Sequence, residues 1–150
     1  MPFSIKDDPM MLRNIIMDHY QSPRNKRATD DPRYLTIHMK SSSCVDDIYI
    51  QILYENDIVV DCLWHGVGCA ISTAATSIMS ELVKGKTKKE VEYIIDNYNK
   101  MLQAEPFDEE ALGEAIAFIN TNRQPSRIGC ATIGWRGLKD LLEGKKEEDE

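Results

Sequence analysis

Alternating apolar and polar residues in the middle of the chain predict three β-strands. A short polar turn at 55–57 separates the last two, and its length suits a hairpin between antiparallel neighbours. The pattern therefore predicts a three-stranded antiparallel meander with one buried face. The apolar positions of that face are Leu35, Ile37 and Met39 in the first strand, Ile48, Ile50, Ile52 and Tyr54 in the second, and Ile58, Val60, Cys62 and Trp64 in the third.

A second periodicity, with apolar residues three or four positions apart, predicts about five helices around these strands. Asp8 followed by Pro9 suits the start of the first helix, and Thr87 with Glu90 forms a capping box for another. We therefore predict an α+β fold in which a small three-stranded antiparallel sheet packs with about five helices. The helical stripes are Leu12, Ile15, Ile16, His19 and Tyr20; Ile71, Ala74, Ala75, Ile78 and Leu82; Val91, Ile94, Ile95, Tyr98 and Leu102; Leu112, Ala115, Ile116 and Ile119; and Trp135, Leu138, Leu141 and Leu142.

Length and composition predict a single domain, residues 1–143, followed by a charged flexible tail, residues 144–150. The N-terminus lacks the apolar segment of a secretory signal, and no apolar run is long enough to cross a membrane, so we expect a cytoplasmic protein. Lys and Arg number 18 against 25 Asp and Glu, which gives a formal net charge of -7. This charge argues against nucleic acid or an anionic membrane as a partner and favours a protein with a basic docking face.

Three of the four cysteines lie where predicted elements begin, which is where functional sites are usually built. Cys44 precedes a strand and is followed two residues later by Asp46, whereas Cys69 and Cys130 each precede a helix. Cysteines of cytoplasmic proteins are more often reduced, metal-bound or catalytic than disulfide-bonded. Three thiols and one carboxylate would suit a tetrahedral site for a borderline metal such as zinc, although their spacing matches no CxxC pattern. Cys62 lies in register with apolar strand residues and is predicted to be a small buried side chain.

Four segments of the chain, at 18–25, 44–46, 66–72 and 127–132, resemble motifs of the IscU/NifU-like iron–sulfur cluster assembly proteins. The segment DHYQSPRN at 18–25 resembles the family's D-H-Y-x-x-P-R-N, and CVD at 44–46 resembles its C-G-D. The segment GVGCAIS at 66–72 resembles G-x-G-C-x-I-S, and RIGCAT at 127–132 resembles the surroundings of the family's third cysteine. The long segment between the second and third of these cysteines is similar to the SufU branch, so the chain is identified as a SufU-type member of the family. The resemblance implies an α+β fold with a small antiparallel sheet covered by helices, in agreement with the hydrophobic pattern.

The resemblance also implies a zinc site formed by Cys44, Asp46, Cys69 and Cys130. Cys44 would accept persulfide sulfur from a PLP-dependent cysteine desulfurase of the SufS type and pass it to downstream iron–sulfur assembly or acceptor proteins. Thiolates bound to zinc are protected from oxidation, and a ligand can leave the metal when a partner supplies a replacement. Arg127, three residues before Cys130, would offset the negative charge of the site or contact the partner.

Two residues near these motifs complicate this interpretation. Val45 stands where the family motif has glycine, and valine is far more restricted in its backbone angles. His65 lies four residues before Cys69 and could compete with Asp46 for the metal, although histidines at strand ends are usually solvated.

Other functions remain open at this point. The same ligands could hold iron in a scaffold that assembles and transfers a [2Fe–2S] cluster. A non-catalytic interaction module stabilised by its metal is a second alternative. A stand-alone cysteine hydrolase is disfavoured, because none of the three histidines occupies a recognisable position for a general base.

Overall fold

We describe the protein from a computed structural model that covers residues 5–41, 45–144 and 148–149. This part of the chain contains five α-helices, as predicted, and an α+β arrangement. The helices are α1 (Pro9–Gln21), α2 (Ala70–Val83), α3 (Lys88–Leu102), α4 (Glu109–Leu112) and α5 (Ile128–Leu142). The strands are β1 (Leu35–Lys40), β2 (Asp47–Glu55), β3 (Ile58–Val67), β4 (Lys86–Thr87) and β5 (Glu148–Asp149). Short 3-10 turns occur at Ile5–Asp7, Gly113–Phe118, Thr121–Arg123 and Pro125–Arg127.

The sheet has the strand order β4-β3-β2-β1-β5, with the predicted meander at its centre. β2 is antiparallel to both β1 and β3. β4 extends the sheet antiparallel to β3, and β5 extends it parallel to β1. The prediction of only three strands was therefore wrong, because two-residue edge strands are too short for alternation to reveal them. Most of the predicted tail, 144–150, lies outside the described residues, so the domain boundary at residue 143 stays a prediction.

A β-bulge in β3 changes which of its residues face the core. Leu53 of β2 pairs with Asp61, whereas Tyr54 pairs with Val59, so Val60 is an extra residue between the two pairs. Val59 is completely buried and Val60 is 46% exposed. The prediction that Val60 lies on the buried face was therefore wrong, because strict alternation does not continue through a bulge.

The predicted fourth helix is interrupted soon after it begins. The helical turn α4 ends at Leu112, and Gly113 then adopts a positive φ of 49°. The chain continues as a 3-10 turn that still buries Ala115 and Ile116. Across the described ranges of the chain, no helix is both long enough and apolar enough to cross a membrane.

Helix α5 approaches both α2 and the sheet closely, because two of its glycines leave space. A Cβ atom on Gly134 would lie 2.5 Å from Thr76 Oγ1 of α2, and one on Gly137 would lie 2.8 Å from Met39 Cγ of β1. The buried Trp135 between them stacks on Tyr98 of α3, with ring centroids 3.7 Å apart. These contacts fix the position of α5, which carries Cys130, relative to α2 and the sheet.

We expect Gly137→Ala to lower the free energy of unfolding by about 1–2 kcal/mol, since overpacking outweighs the better helix propensity of alanine. The added methyl group would also lie 3.1 Å from Ile50 Cγ1, so the sheet must shift to accommodate it. Urea denaturation followed by circular dichroism measures the change. Gly129→Ala on the same helix is the matched control, because a Cβ there meets nothing within 4 Å. Equal unfolding midpoints for the two variants would contradict the proposed close packing.

Candidate metal site

Cys69 occupies the N-cap of α2, as predicted from the glycine-flanked segment before that helix. Its backbone is extended, with φ −71° and ψ 174°, and its Sγ accepts a hydrogen bond from the backbone N–H of Ser72 at 3.4 Å. The unpaired N–H groups and the positive end of a helix dipole stabilise negative charge. This position therefore suits the sulfur as a metal ligand, since metals bind cysteine as the thiolate.

Asp46 lies immediately before β2, and its side chain is turned into the protein with only 1% exposure. Its Oδ1 accepts hydrogen bonds from the backbone N–H of Cys69 at 3.0 Å and from Ser72 Oγ at 2.8 Å. Two donors compensate a buried carboxylate for the water it has lost. The same two bonds tie the start of β2 to the start of α2.

Gly68 provides the space in which this carboxylate and hydroxyl meet. A Cβ on Gly68 would lie 2.4 Å from Ser72 Oγ and 3.3 Å from Asp46 Oδ1. Atoms do not approach that closely, so a larger residue would displace the hydroxyl. Position 68 therefore requires glycine, because any side chain there would collide with the Ser72 hydroxyl.

Cys130 is the third residue of α5 and is partly buried. Burial raises the pKa of its thiol well above the usual range, and hydrogen bonds with Cys69 and Asp46 raise that pKa further. The contribution of these neighbours arises because two thiols and a carboxylate lie together, so that negative charge on one group disfavours ionisation of another. A bound cation would remove this penalty, since metal binding replaces thiol protons.

The fold thus brings together three of the four residues predicted from the sequence. One ligand atom from each of Asp46, Cys69 and Cys130 lies within 4.8 Å of the others. Two sulfur atoms and one carboxylate oxygen form a donor set that suits zinc, which is usually held by four ligands of these types. The residues present therefore fit the predicted metal, and a tetrahedral ion would need one more ligand.

Cys44, the fourth predicted residue, lies outside the described residues, so its roles as ligand and sulfur acceptor stay predictions. The backbone N–H of Ser41 donates to the carbonyl oxygen of Asp46 at 3.0 Å. Val45, between them, is 69% exposed, so the side chain that replaces the family glycine lies mainly in solvent.

Three other residues named from the sequence are not members of this group. Cys62 is completely buried in β3, as predicted, and burial raises the pKa of its thiol to about 12. His65 stacks on Tyr49 with ring centroids 4.7 Å apart, and among the described residues the metal-ligand group does not include it. Burial lowers the pKa of the His65 imidazole. Arg127 is exposed at the end of the 3-10 turn that leads into α5.

Ser72 is the site residue that the sequence analysis did not single out. It is completely buried, and its hydroxyl lies 3.2 Å from the carbonyl oxygen of Cys69 in addition to its contact with Asp46. The segment GVGCAIS places this serine near Cys69, because a residue three positions after an N-cap points back toward that cap, but it carries no signal of the contact with Asp46.

Two similar proteins cover most of this chain. The zinc-dependent sulfurtransferase SufU of Bacillus subtilis (strain 168) is 34% identical over 130 residues, which are 86% of this chain and 87% of that protein. The iron–sulfur cluster assembly scaffold protein IscU of Thermotoga maritima is 31% identical over 133 residues, 89% of this chain and 93% of that protein.

The fold also matches a crystal structure from Fervidobacterium islandicum AW-1, described as an iron–sulfur cluster assembly scaffold protein for the SUF system. The TM-score is 0.78 at 32% identity, and the match covers 85% of this chain and 93% of that one. Residues 11–131 match the family described as NifU-like N terminal domain. The chain therefore belongs to the NifU-like N-terminal domain family of iron–sulfur cluster assembly proteins, which confirms the resemblance seen in its motifs.

Proposed function

We propose that this protein is a zinc-dependent sulfur acceptor, which takes persulfide sulfur from a SufS-type cysteine desulfurase on Cys44 during iron–sulfur cluster assembly. The observation that carries the proposal is the convergence of Asp46, Cys69 and Cys130, whose ligand atoms lie within 4.8 Å of one another. Asp46 is only two residues from Cys44 in the sequence. The similarity to a zinc-dependent sulfurtransferase over 86% of the chain supports it.

In this proposal Cys44, Asp46, Cys69 and Cys130 are the zinc ligands. Bound zinc would hold the thiols as thiolates and protect them from oxidation. The N-cap position of Cys69 and the two hydrogen bonds to Asp46 Oδ1 fix those two side chains at the start of α2. Asp46 contributes a hard oxygen among softer sulfurs, so the proposed set has both negative charge and one weaker ligand.

The sulfur-transfer step is a thiol exchange that involves no net oxidation. The Cys44 thiolate attacks the terminal sulfur of the persulfide on the desulfurase cysteine, and a new S–S bond forms on Cys44. The original S–S bond breaks, and the desulfurase cysteine leaves as a thiolate. The product is a persulfide on Cys44, ready for a downstream assembly or acceptor protein. The exposed Arg127, near Cys130 in the chain, would contact the partner or offset the charge of the site.

The proposal is tested by removing the metal and measuring the activity of the desulfurase. We expect purified protein to carry about one zinc per chain, as four protein ligands complete one tetrahedral site. The zinc-loaded protein should accelerate formation of alanine from cysteine by the desulfurase, whereas the chelator-treated protein should not. If adding zinc back restores stimulation of the desulfurase, the loss was due to removal of the metal and not to damage of the protein by the chelator. Equal stimulation by the metal-free and zinc-loaded forms would contradict the proposal.

A second candidate function is a scaffold that assembles a [2Fe–2S] cluster and transfers it. The relative from Thermotoga maritima carries the scaffold name, and the same four residues could bind iron. Anaerobic reconstitution with iron and sulfide, followed by mixing with an apo-acceptor, distinguishes the two functions. Under the leading proposal we expect no efficient cluster transfer. Stoichiometric transfer to the acceptor, without stimulation of the desulfurase, would favour the scaffold instead.

A further inference from the structure

We propose that Ser72 is a positioning residue that makes Asp46 bind the metal through a single carboxylate oxygen, Oδ2. This inference rests on the metal site of the proposed function and adds a residue outside its ligand set. It concerns how the carboxylate is oriented, whereas the proposed function concerns what the loaded site does.

One oxygen of the Asp46 carboxylate, Oδ1, accepts two hydrogen bonds. Ser72 Oγ and the backbone N–H of Cys69 lie 2.8 Å and 3.0 Å from this one oxygen. A carboxylate offers about four lone-pair sites on its two oxygens, so two donors occupy the capacity of Oδ1. The metal is therefore left with Oδ2 as its ligand atom, and binding through both oxygens is disfavoured.

The Ser72 hydroxyl has a preferred direction. Its oxygen lies near three polar atoms: Asp46 Oδ1 at 2.8 Å, the carbonyl oxygen of Cys69 at 3.2 Å and Cys69 Sγ at 3.6 Å. The carboxylate is both nearer and charged, and charge-assisted hydrogen bonds are shorter and stronger than neutral ones. The hydroxyl therefore donates to Asp46. Ser72 is completely buried, so water cannot readily replace this donor.

Neighbouring residues of the chain support the contact between Ser72 and Asp46. Gly68 leaves the space that the Ser72 hydroxyl occupies, since a Cβ there would lie only 2.4 Å from it. The backbone N–H of Ser72 also donates to Cys69 Sγ, so the same residue supports two of the proposed ligands. Side chains that hydrogen-bond to metal ligands orient those ligands and tune the affinity of the site.

The test compares metal binding by the full-length wild type and by Ser72→Ala. Removing the hydroxyl frees the carboxylate to rotate and to bind through both oxygens. We expect zinc affinity, measured by competition with a chromophoric chelator, to fall by about 10–100-fold. In the cobalt(II) form, the visible d–d bands should weaken, because added oxygen coordination raises the coordination number above the tetrahedral value.

Ser77→Ala is the matched control, since Ser77 is a completely buried serine on the same helix whose hydroxyl contacts His19 Nδ1 and the backbone N–H of Arg24. It should lower the urea midpoint while leaving zinc affinity and the cobalt spectrum unchanged. Gly68→Ala provides a second variant, which retains the hydroxyl but displaces it, and it should reproduce the spectral change.

The outcomes separate this inference from the proposed function. Suppose that the wild type binds zinc and that Ser72→Ala and Gly68→Ala both show wild-type affinity and cobalt spectra. This result overturns the positioning role and leaves the proposed function intact. A wild type that binds no zinc overturns the proposed function and this inference together. If Ser72→Ala does not fold, the Gly68→Ala spectrum decides.

Discussion

Replacing Cys44 with alanine is expected to abolish stimulation of the desulfurase while leaving a weaker metal site in place. Asp46, Cys69 and Cys130 would remain, and three protein ligands with a water molecule are sufficient for zinc in many catalytic sites. The reacting sulfur, however, would be gone. The variant should therefore still bind zinc, but no persulfide should form on the chain. Alanine production by the desulfurase and the mass of one added sulfur atom on this protein measure the two effects separately.

Cys62→Ala is the matched control for this experiment. Cys62 is completely buried, and burial raises the pKa of its thiol to about 12, so the thiol is protonated at neutral pH and is a poor nucleophile. The variant should accept sulfur and stimulate the desulfurase as the wild type does. Because the substitution removes a buried side chain from the core, we expect it to lower the free energy of unfolding by about 1–2 kcal/mol. Full stimulation by Cys44→Ala would contradict its role as the acceptor, whatever the control shows.

The parts of this site that sequence could predict are those set by neighbouring residues. Glycines before Cys69 and an apolar stripe after it are local signals, and they correctly place this cysteine at a helix start. Alternation likewise identifies the central strands and the burial of Cys62. In each case the residues that determine the structure lie within a few positions of the feature predicted.

The convergence of the ligands depends instead on packing between distant elements. Cys130 reaches Asp46 and Cys69 because α5 lies close to α2 and the sheet, through Gly134 and Gly137. No periodicity in the sequence indicates that these helices and strands approach one another. The prediction that the ligands share one site came from the family resemblance. The bulge at Val60 escaped prediction for a related reason, because its position is determined by the pairing of two strands and not by either strand alone.

The hydrogen bonds of Ser72 explain why a site can be identified by its ligands and still be incompletely described. A buried carboxylate must find donors, so the presence of Asp46 in the protein interior required at least one partner. Sequence cannot select that partner, because the backbone N–H of Cys69 and the Ser72 hydroxyl become neighbours of Asp46 only after β2 and α2 meet. The ligands and their supporting residue are therefore products of one contact between two elements.

Replacing Gly66 with alanine is expected to destabilise the protein severely, because this residue lies where β3 passes the start of β2. Its φ is +117°, which disfavours any residue with a side chain, and an added Cβ would lie 2.1 Å from the carbonyl oxygen of Asp47. The obstructing atom belongs to the backbone, so relief requires β2 and β3 to separate next to Asp46. We expect the free energy of unfolding to fall by about 4 kcal/mol or more, measured by urea denaturation of the metal-free protein.

Gly85→Ala distinguishes the clash from the backbone angle. Gly85 also has a positive φ, +78°, but a Cβ there meets nothing within 4 Å. Its substitution should therefore cost only the conformational penalty of about 1–2 kcal/mol. Similar losses in the two variants would show that φ alone is responsible and that β2 and β3 tolerate the added atom. A much larger loss at Gly66, accompanied by weaker zinc binding in any folded fraction, would mean that the strand contact holding Asp46 in place also carries much of the stability of the fold.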